Sequence, residues 1–212
     1  MVRKLNDADI EKVYEVMQRN PLFFQHCPPM ATEQSIADDM RALPPRTTED
    51  DKYYVGYFEG EKMVAVMDLI VNFPNQETAF IGFFMMHKDY QGKGIGTEII
   101  DTCCKVLVEE GYQYVRLGFA KGNPQSEAFW TKNGFTRTGV EDVQERYTMP
   151  DSSFSAGWGT WFVVSVCGAF KSSFVPSAFL IMSTSFFSIF CKGASTLSDN
   201  WKKMDWSDIS RL

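Results

Sequence analysis

A chain of 212 residues, 44% hydrophobic and 23% charged, has the composition of a soluble globular protein with one main core. Its formal charge of -6 excludes a general nucleic-acid binder, which needs a basic face to neutralise phosphates, and favours neutral or cationic partners. Cys27, Cys103, Cys104, Cys167 and Cys191 show no CxxC spacing and MVRK runs into polar NDAD with no apolar leader, so a reducing cytoplasm is expected, without disulfides or structural zinc.

In chain order, Asp7 is placed to cap a helix with Ile10, Val13, Tyr14 and Met17 on one face, stopped by Asn20-Pro21. Phe23, Phe24 and His26 come next, in a stretch that reads as a loop. A second helix is predicted from Thr32 to Leu43, ended by Pro44-Pro45. YYVGYF (53–58) and MVAVMDLIV (63–71) flank the polar turn EGEK and read as a hairpin. A third strand, AFIGFFMM (79–86), precedes three glycines. Beyond them Ile95, Ile99, Ile100, Cys103, Val106 and Leu107 keep helical spacing until Gly111. YVRLGF (114–119) reads as a strand, NPQSEAFWTKNG (123–134) as a helix and FTRTGV (135–140) as a strand. The pattern is mixed α/β, and Cys103 and Cys104 fall on core positions of the long helix.

Composition changes near Pro150. Residues 1–150 hold two serines, Ser35 and Ser126, against fourteen from 151 to 212, and four of the five tryptophans lie in the later part. The acidity belongs to the first part, with 16 basic and 23 acidic residues before position 151 and 5 and 4 from there on. The expected organisation is a domain over 1–150 and a Ser/aromatic-rich extension over 151–212. The uncharged run 172–191 has the length to cross a bilayer, but its six serines, Thr184 and Pro176 weaken insertion, so a membrane anchor is not the expectation.

The glycines pose the functional question. Gly92, Gly94 and Gly96 stand between a strand and a helix, where small residues let a phosphate approach unpaired N–H groups at the positive end of the helix dipole. The dinucleotide fingerprint needs a glycine where Ile99 stands, and the P-loop needs GK followed by Ser or Thr after a longer spacer. A bare GxGxG also suits a tight turn alone, so context decides.

That context resembles one family. Gln91-Gly92-Lys93-Gly94-Ile95-Gly96 looks like the Q/R-x-x-G-x-G/A pyrophosphate loop of the GNAT acyl-CoA-dependent N-acyltransferases. Asn123, Ala128, Phe129 and Gly134-Phe135 are similar to the family's downstream pattern, and the resemblance covers roughly residues 3–149. It implies a mostly antiparallel sheet with flanking helices, in which two parallel strands, 79–86 and 114–119, splay apart to admit acetyl-CoA. Phe84, Met85 and Met86 would pair with the pantetheine, Gln91 to Thr97 would hold the pyrophosphate, and Asn123, Phe129 and Trp130 would flank the cofactor. An N–H near Met86 would polarise the thioester carbonyl. No metal is implied.

The expected reaction is acetyl transfer to a primary amine, on a small molecule or a protein, by direct attack in a ternary complex. A base must take the amine's proton. Asp68 stands in one face of its strand with Val64, Val66 and Ile70, where a carboxylate has to be paired, neutralised or opened to a cleft. A base with a raised pKa and a structural carboxylate bound to a lysine or loop N–H groups both satisfy that demand. Glu77 and His87 are weaker candidates, with His87 expected at the surface near the cofactor. Trp130 occupies the place where the family often has a tyrosine that protonates the departing thiolate, and an indole N–H does not give up its proton. The alternative reading is a non-catalytic acyl-CoA-binding or membrane-tethered interaction protein. The family's last strand is expected near 146–155, where Pro150 stands; either it stops at Met149 or WFVVSVC (161–167) replaces it.

Overall fold

The computed structural model of the chain describes residues 1–142 and 161–166. Strand β1 (Val2–Lys4) leads through a short 3₁₀ turn into helix α1 (Ile10–Gln18). The cap is Asn6 rather than Asp7: its side chain accepts from the Ala8 N–H, while Asp9 accepts from the Asn6 N–H and from the Arg3 guanidinium. A neutral acceptor one residue earlier frees Asp7 to pair with Arg41 of the next long helix. Val13, Val16 and Met17 form the buried stripe of α1, with Ile10 and Tyr14 at its margin.

Asn20-Pro21 does end α1, but the next segment is a helix and not a loop. Pro21 opens α2 (Pro21–His26), where a missing N–H and a fixed φ suit the first turn. Helix α3 (Glu33–Arg41) starts on a reciprocal cap between Thr32 and Ser35. Strands β2 (Lys52–Glu59) and β3 (Lys62–Ile70) form the expected hairpin, tipped by Gly60 and Glu61. Strand β4 (Thr78–Met86) runs antiparallel to β3, with a bulge where Asp68 and Leu69 face Phe83 and Ile81. Helix α4 (Ile95–Glu109), strand β5 (Tyr114–Ala120), helix α5 (Pro124–Lys132) and strand β6 (Thr136–Asp142) complete the order read from the sequence.

The strand order is β1-β2-β3-β4-β5-β7-β6, with β7 formed by Trp161–Val166. All pairs are antiparallel except β4 with β5. One face of the sheet packs Met67, Ile81, Leu117 and Phe119 against Ile99, Ile100, Cys103 and Leu107 of α4 and Trp130 of α5. The other face packs Tyr54, Val66 and Met85 against α1 and α3. Cys103 is in this core; burial pushes its thiol well above the usual range and that of Cys104 up to about 11, so neither is poised as a thiolate.

Of the two alternatives left by Pro150, WFVVSV (161–166) is a strand of the sheet and lies between β5 and β6; the stretch 146–155 lies outside the described residues. Proline lacks the N–H that an inner strand must donate, and 161–166 carries none. Among the described residues no helix is long and apolar enough to cross a membrane. The run 172–191 lies outside the described residues.

Candidate active site

Parallel pairing of β4 with β5 extends only from Thr78–Ile81 to Tyr114–Leu117. Beyond it the two strands part, while β5 keeps β7 on its other edge as far as Ala120, leaving backbone groups along the second half of β4 without a strand neighbour on that side. The His87 N–H donates to the Val64 carbonyl at 2.8 Å on the β3 side. Backbone groups alternate along a strand, so the N–H groups of Phe84 and Met86 face the opening.

A cavity of about 520 Å³ occupies this opening. Of the residues singled out from the sequence, Phe84, Met85, Met86, Gln91, Gly92, Gly94, Gly96, Thr97, Asn123, Phe129 and Trp130 line it. Lys93 and Ile95 stand apart: Lys93 is exposed over the Tyr90 ring, 5.4 Å from its centroid, and Ile95 is buried in the core. Gly92 and Gly94 have φ of 73° and 84°, a conformation that a side chain disfavours, and Gly94 is the N-cap of α4. Gly96 serves packing instead. A Cβ there would stand 3.2 Å from the Phe129 ring and 3.5 Å from Met86 Cγ, so its absence lets α4 meet α5 and β4.

Aromatic rings close the far wall. Phe84 stacks on Phe129 at 5.9 Å, and Trp130 packs on Phe84, Phe129 and Phe135. Asn123 is buried and caps α5 through the Ser126 N–H. Sequence reasoning missed the near wall. Asn20 donates to the carbonyls of Val16 and Met86 at 2.8 and 2.9 Å, and Gln91 donates to Asn20 Oδ1 at 2.6 Å and to the Met86 carbonyl at 3.1 Å. Exposed Arg19, Lys88 and Lys132 also line the cavity, so an acidic chain gathers three cations at one opening. They come from three separate elements, and no sequence spacing links them.

Asp68 is outside this cavity. Its Oδ2 meets Lys52 Nζ at 3.0 Å, with both side chains largely buried, and Lys52 also donates to the Ala42 carbonyl. Gly82, at the β4 bulge, makes room: a Cβ there would lie 3.0 Å from Asp68 Oδ2. Burial raises the Asp68 pKa and outweighs the opposing pull of Lys52. Asp68 Oδ1 is buried with no hydrogen-bond partner among the described residues. On α3, Asp39 is raised to about 6, first by burial and then by the Asp68 charge, with Lys52 opposing. Asp39 carried no sequence signal because it falls between the apolar positions of α3 as an ordinary polar residue would.

The other two candidates lie elsewhere. Glu77 is exposed just before β4, at the end opposite Met86. His87 is not at the surface: it is 1% exposed, and its Nδ1 accepts from the Asp89 N–H. The chain turns inward there to start a 3₁₀ turn. Among the described residues no three His, Cys, Asp or Glu side chains gather as a metal site.

The sequence profile of the acetyltransferase (GNAT) family matches residues 11–135, and the chain belongs to this family. No curated protein matches it. Among solved structures it is similar to an acetyltransferase from Thermus thermophilus, at 18% identity and a TM-score of 0.58, with 78% of this chain and 96% of that one covered. The ribosomal-protein-S18-alanine N-acetyltransferase from Escherichia coli aligns at 16% identity, TM-score 0.53, over 78% and 92%. The PaiA N-acetyltransferase from Thermoplasma acidophilum, solved in complex with coenzyme A, aligns at 17% identity, TM-score 0.50, over 78% and 96%. At these identities the likeness is one of fold.

Proposed function

We propose that this acetyltransferase moves an acetyl group from acetyl-CoA to a primary amine by direct attack within a ternary complex. The carrying observation is the parting of β4 from β5 beside a cavity lined by Gly92, Gly94 and Gly96, where a helix N-terminus and three cations converge. That donor set fits a pyrophosphate with an extended arm. Gln91 to Thr97 and the cationic rim hold the phosphates in this reading, and the N–H groups of Phe84 and Met86 receive the arm and the oxygen on which charge develops. The thioester supplies an activated acyl carbon and a thiolate leaving group.

The amine nitrogen bonds to the acyl carbon, the C–S bond breaks, and the proton released by nitrogen goes to a carboxylate. We assign that carboxylate to the pair Asp39 and Asp68, which stand outside the cavity, so that water carries the proton from the nitrogen to them. Lys52 holds Asp68 in place, and the Asp68 charge helps lift Asp39 into the range where a carboxylate is a useful base near neutral pH. Phe23 packs edge-on against Phe83, which pairs with Asp68 across the strands, so an aromatic wall stands beside the acid pair for a cationic acceptor. Trp130 has no proton to give the thiolate, which leaves water to supply it.

Release of free thiol from acetyl-CoA, measured with a panel of polyamines, aminoglycosides and lysine peptides, tests the reading. Turnover with at least one amine is expected. Tight coenzyme A binding without turnover on any would instead support the non-catalytic acyl-CoA-binding reading.

A further inference from the structure

A second cavity, of about 530 Å³, lies at the other end of β4 and β5. Its lining includes Thr78 and Asn75 from the start of β4 and the turn before it, Tyr114 and Arg116 from β5, and Thr136 and Arg137 from β6. Thr78 and Met86 open and close the nine residues of β4, so at about 3.3 Å per residue the two cavities are roughly 25 Å apart. The lining contains no carboxylate, although the chain is acidic.

Arg116 is the central observation. It is half-buried, its Nε is fully shielded from solvent, and that atom has no hydrogen-bond partner among the described residues. No carboxylate among them pairs with its guanidinium. A half-buried cation without a counter-charge is costly, and its fork of donors suits a bidentate oxyanion. The neighbours are donors too. Asn75 spends its Oδ1 on the Thr78 hydroxyl and the Glu77 N–H, which leaves its amide N–H groups to face the cavity. In strand register Arg116 lies opposite Ser165 and Ser165 opposite Thr136, so Arg116 and Thr136 stand two strands, about 10 Å, apart on one row.

We propose that this cavity is a binding site for a small phosphorylated molecule, its phosphoryl group held by Arg116 with the Asn75 amide beside it. A phosphate monoester offers three acceptor oxygens to these donors, where a carboxylate offers two. The cavity exceeds the volume of inorganic phosphate, and the Tyr114 ring gives an organic body a wall to lie against. This site is independent of the acetyl-transfer site in position and in donor set.

The test uses the full chain with calorimetric titration of inorganic phosphate, glucose 6-phosphate and citrate. Glucose 6-phosphate is expected to bind more tightly than inorganic phosphate, and both more tightly than citrate. Arg116→Gln should weaken phosphate-ester binding on the order of tenfold or more and leave coenzyme A titration unchanged, with Arg116→Lys falling between. Without ligand, Arg116→Gln should melt no lower than the parent, because a cation lacking a partner is removed. If Arg116→Gln instead lowers the melting temperature and phosphate esters have no effect on the parent, Arg116 belongs to an internal ion pair and the proposal is overturned. Phosphate-ester binding of equal strength in parent and Arg116→Gln overturns it as well.

Discussion

The side-chain amide of Asn20 donates to the main-chain carbonyl of Met86 at 2.9 Å, tying the end of α1 to the last residue of β4 across 66 positions of sequence. Gln91 binds both partners, so the first residue of the glycine loop is held by the same knot. Asn20→Ala removes two donors and one acceptor and leaves the Met86 carbonyl to Gln91 alone. Coenzyme A affinity should fall about tenfold, the effect of one to two hydrogen bonds. Asn20→Asp should be worse, since a carboxylate repels the carbonyls it would face. Calorimetric titration of coenzyme A distinguishes this from a neutral surface change.

Gly94 and Gly96 matter for different reasons, and their variants should fail differently. At Gly94 φ is 84° with nothing within 4 Å of an added Cβ, so Gly94→Val strains the loop without crowding the core. It should lose coenzyme A binding and keep most of its thermal stability. Gly96→Val drives a side chain into Phe129 and should lower the melting temperature as well as binding. Parallel thermal melts and titrations separate the two.

The sequence made the loop legible because its chemistry is local: the strand before, the glycines and the helix after follow one another without interruption from Thr78 to Glu109. The core stripe of α4 was legible for the same reason. The near wall was not. Asn20, Arg19, Lys88 and Lys132 meet only after the sheet has folded, and a lone Asn before Pro reads as a helix stop, which it also is. Asp68 was legible as an anomaly, a carboxylate in an apolar face, but its partner Lys52 lay sixteen residues away at the start of another strand. The cap moved from Asp7 to Asn6 because two good capping residues stood side by side and Arg41 claimed one.

Lys52 and Asp68 stabilise the fold only as a pair. Asp68→Asn leaves the Lys52 ammonium buried with the Ala42 carbonyl and without its ion-pair partner, and should destabilise by about 3–5 kcal/mol. Lys52→Met with Asp68→Leu removes both charges and should recover most of that loss. Denaturant unfolding of the two variants checks the coupling. Turnover per folded molecule then tests the acid pair's part in catalysis: a fall on the order of a hundredfold in Asp68→Asn supports it, and preserved turnover leaves Asp68 purely structural.

Asp39 should make stability fall as pH rises. Its carboxyl moves from 3.8 to about 6 on folding, so between these values the folded chain holds more protons than the unfolded one. The cost of its charge is absent below about pH 4 and complete above about pH 6. Asp39→Asn should therefore raise the melting temperature at pH 7.5 and have little effect at pH 4. Melts at half-unit pH steps give the window. If Asp39 is the proton acceptor, the same variant loses turnover while gaining stability, a combination that a structural residue would not produce.

The last test concerns where the sheet ends. Strand β7 pairs with β5 through Ala120↔Trp161 to Val115↔Val166 and with β6 on its other side, so it is an inner strand. Truncation after Ser155 removes it and strips both neighbours of a ladder. Inner strands read as apolar on both faces, and exposed edges of that kind recruit other chains. Truncation after Ser155 should therefore give aggregated protein, visible by light scattering, with coenzyme A binding lost because β5 forms one side of the opening. Truncation after Ser172 retains β7 and should remain folded and bind coenzyme A. A monomeric Ser155 truncation with parent-like binding would show that β5 and β6 close the sheet without residues 161–166, and would support a boundary at residue 150.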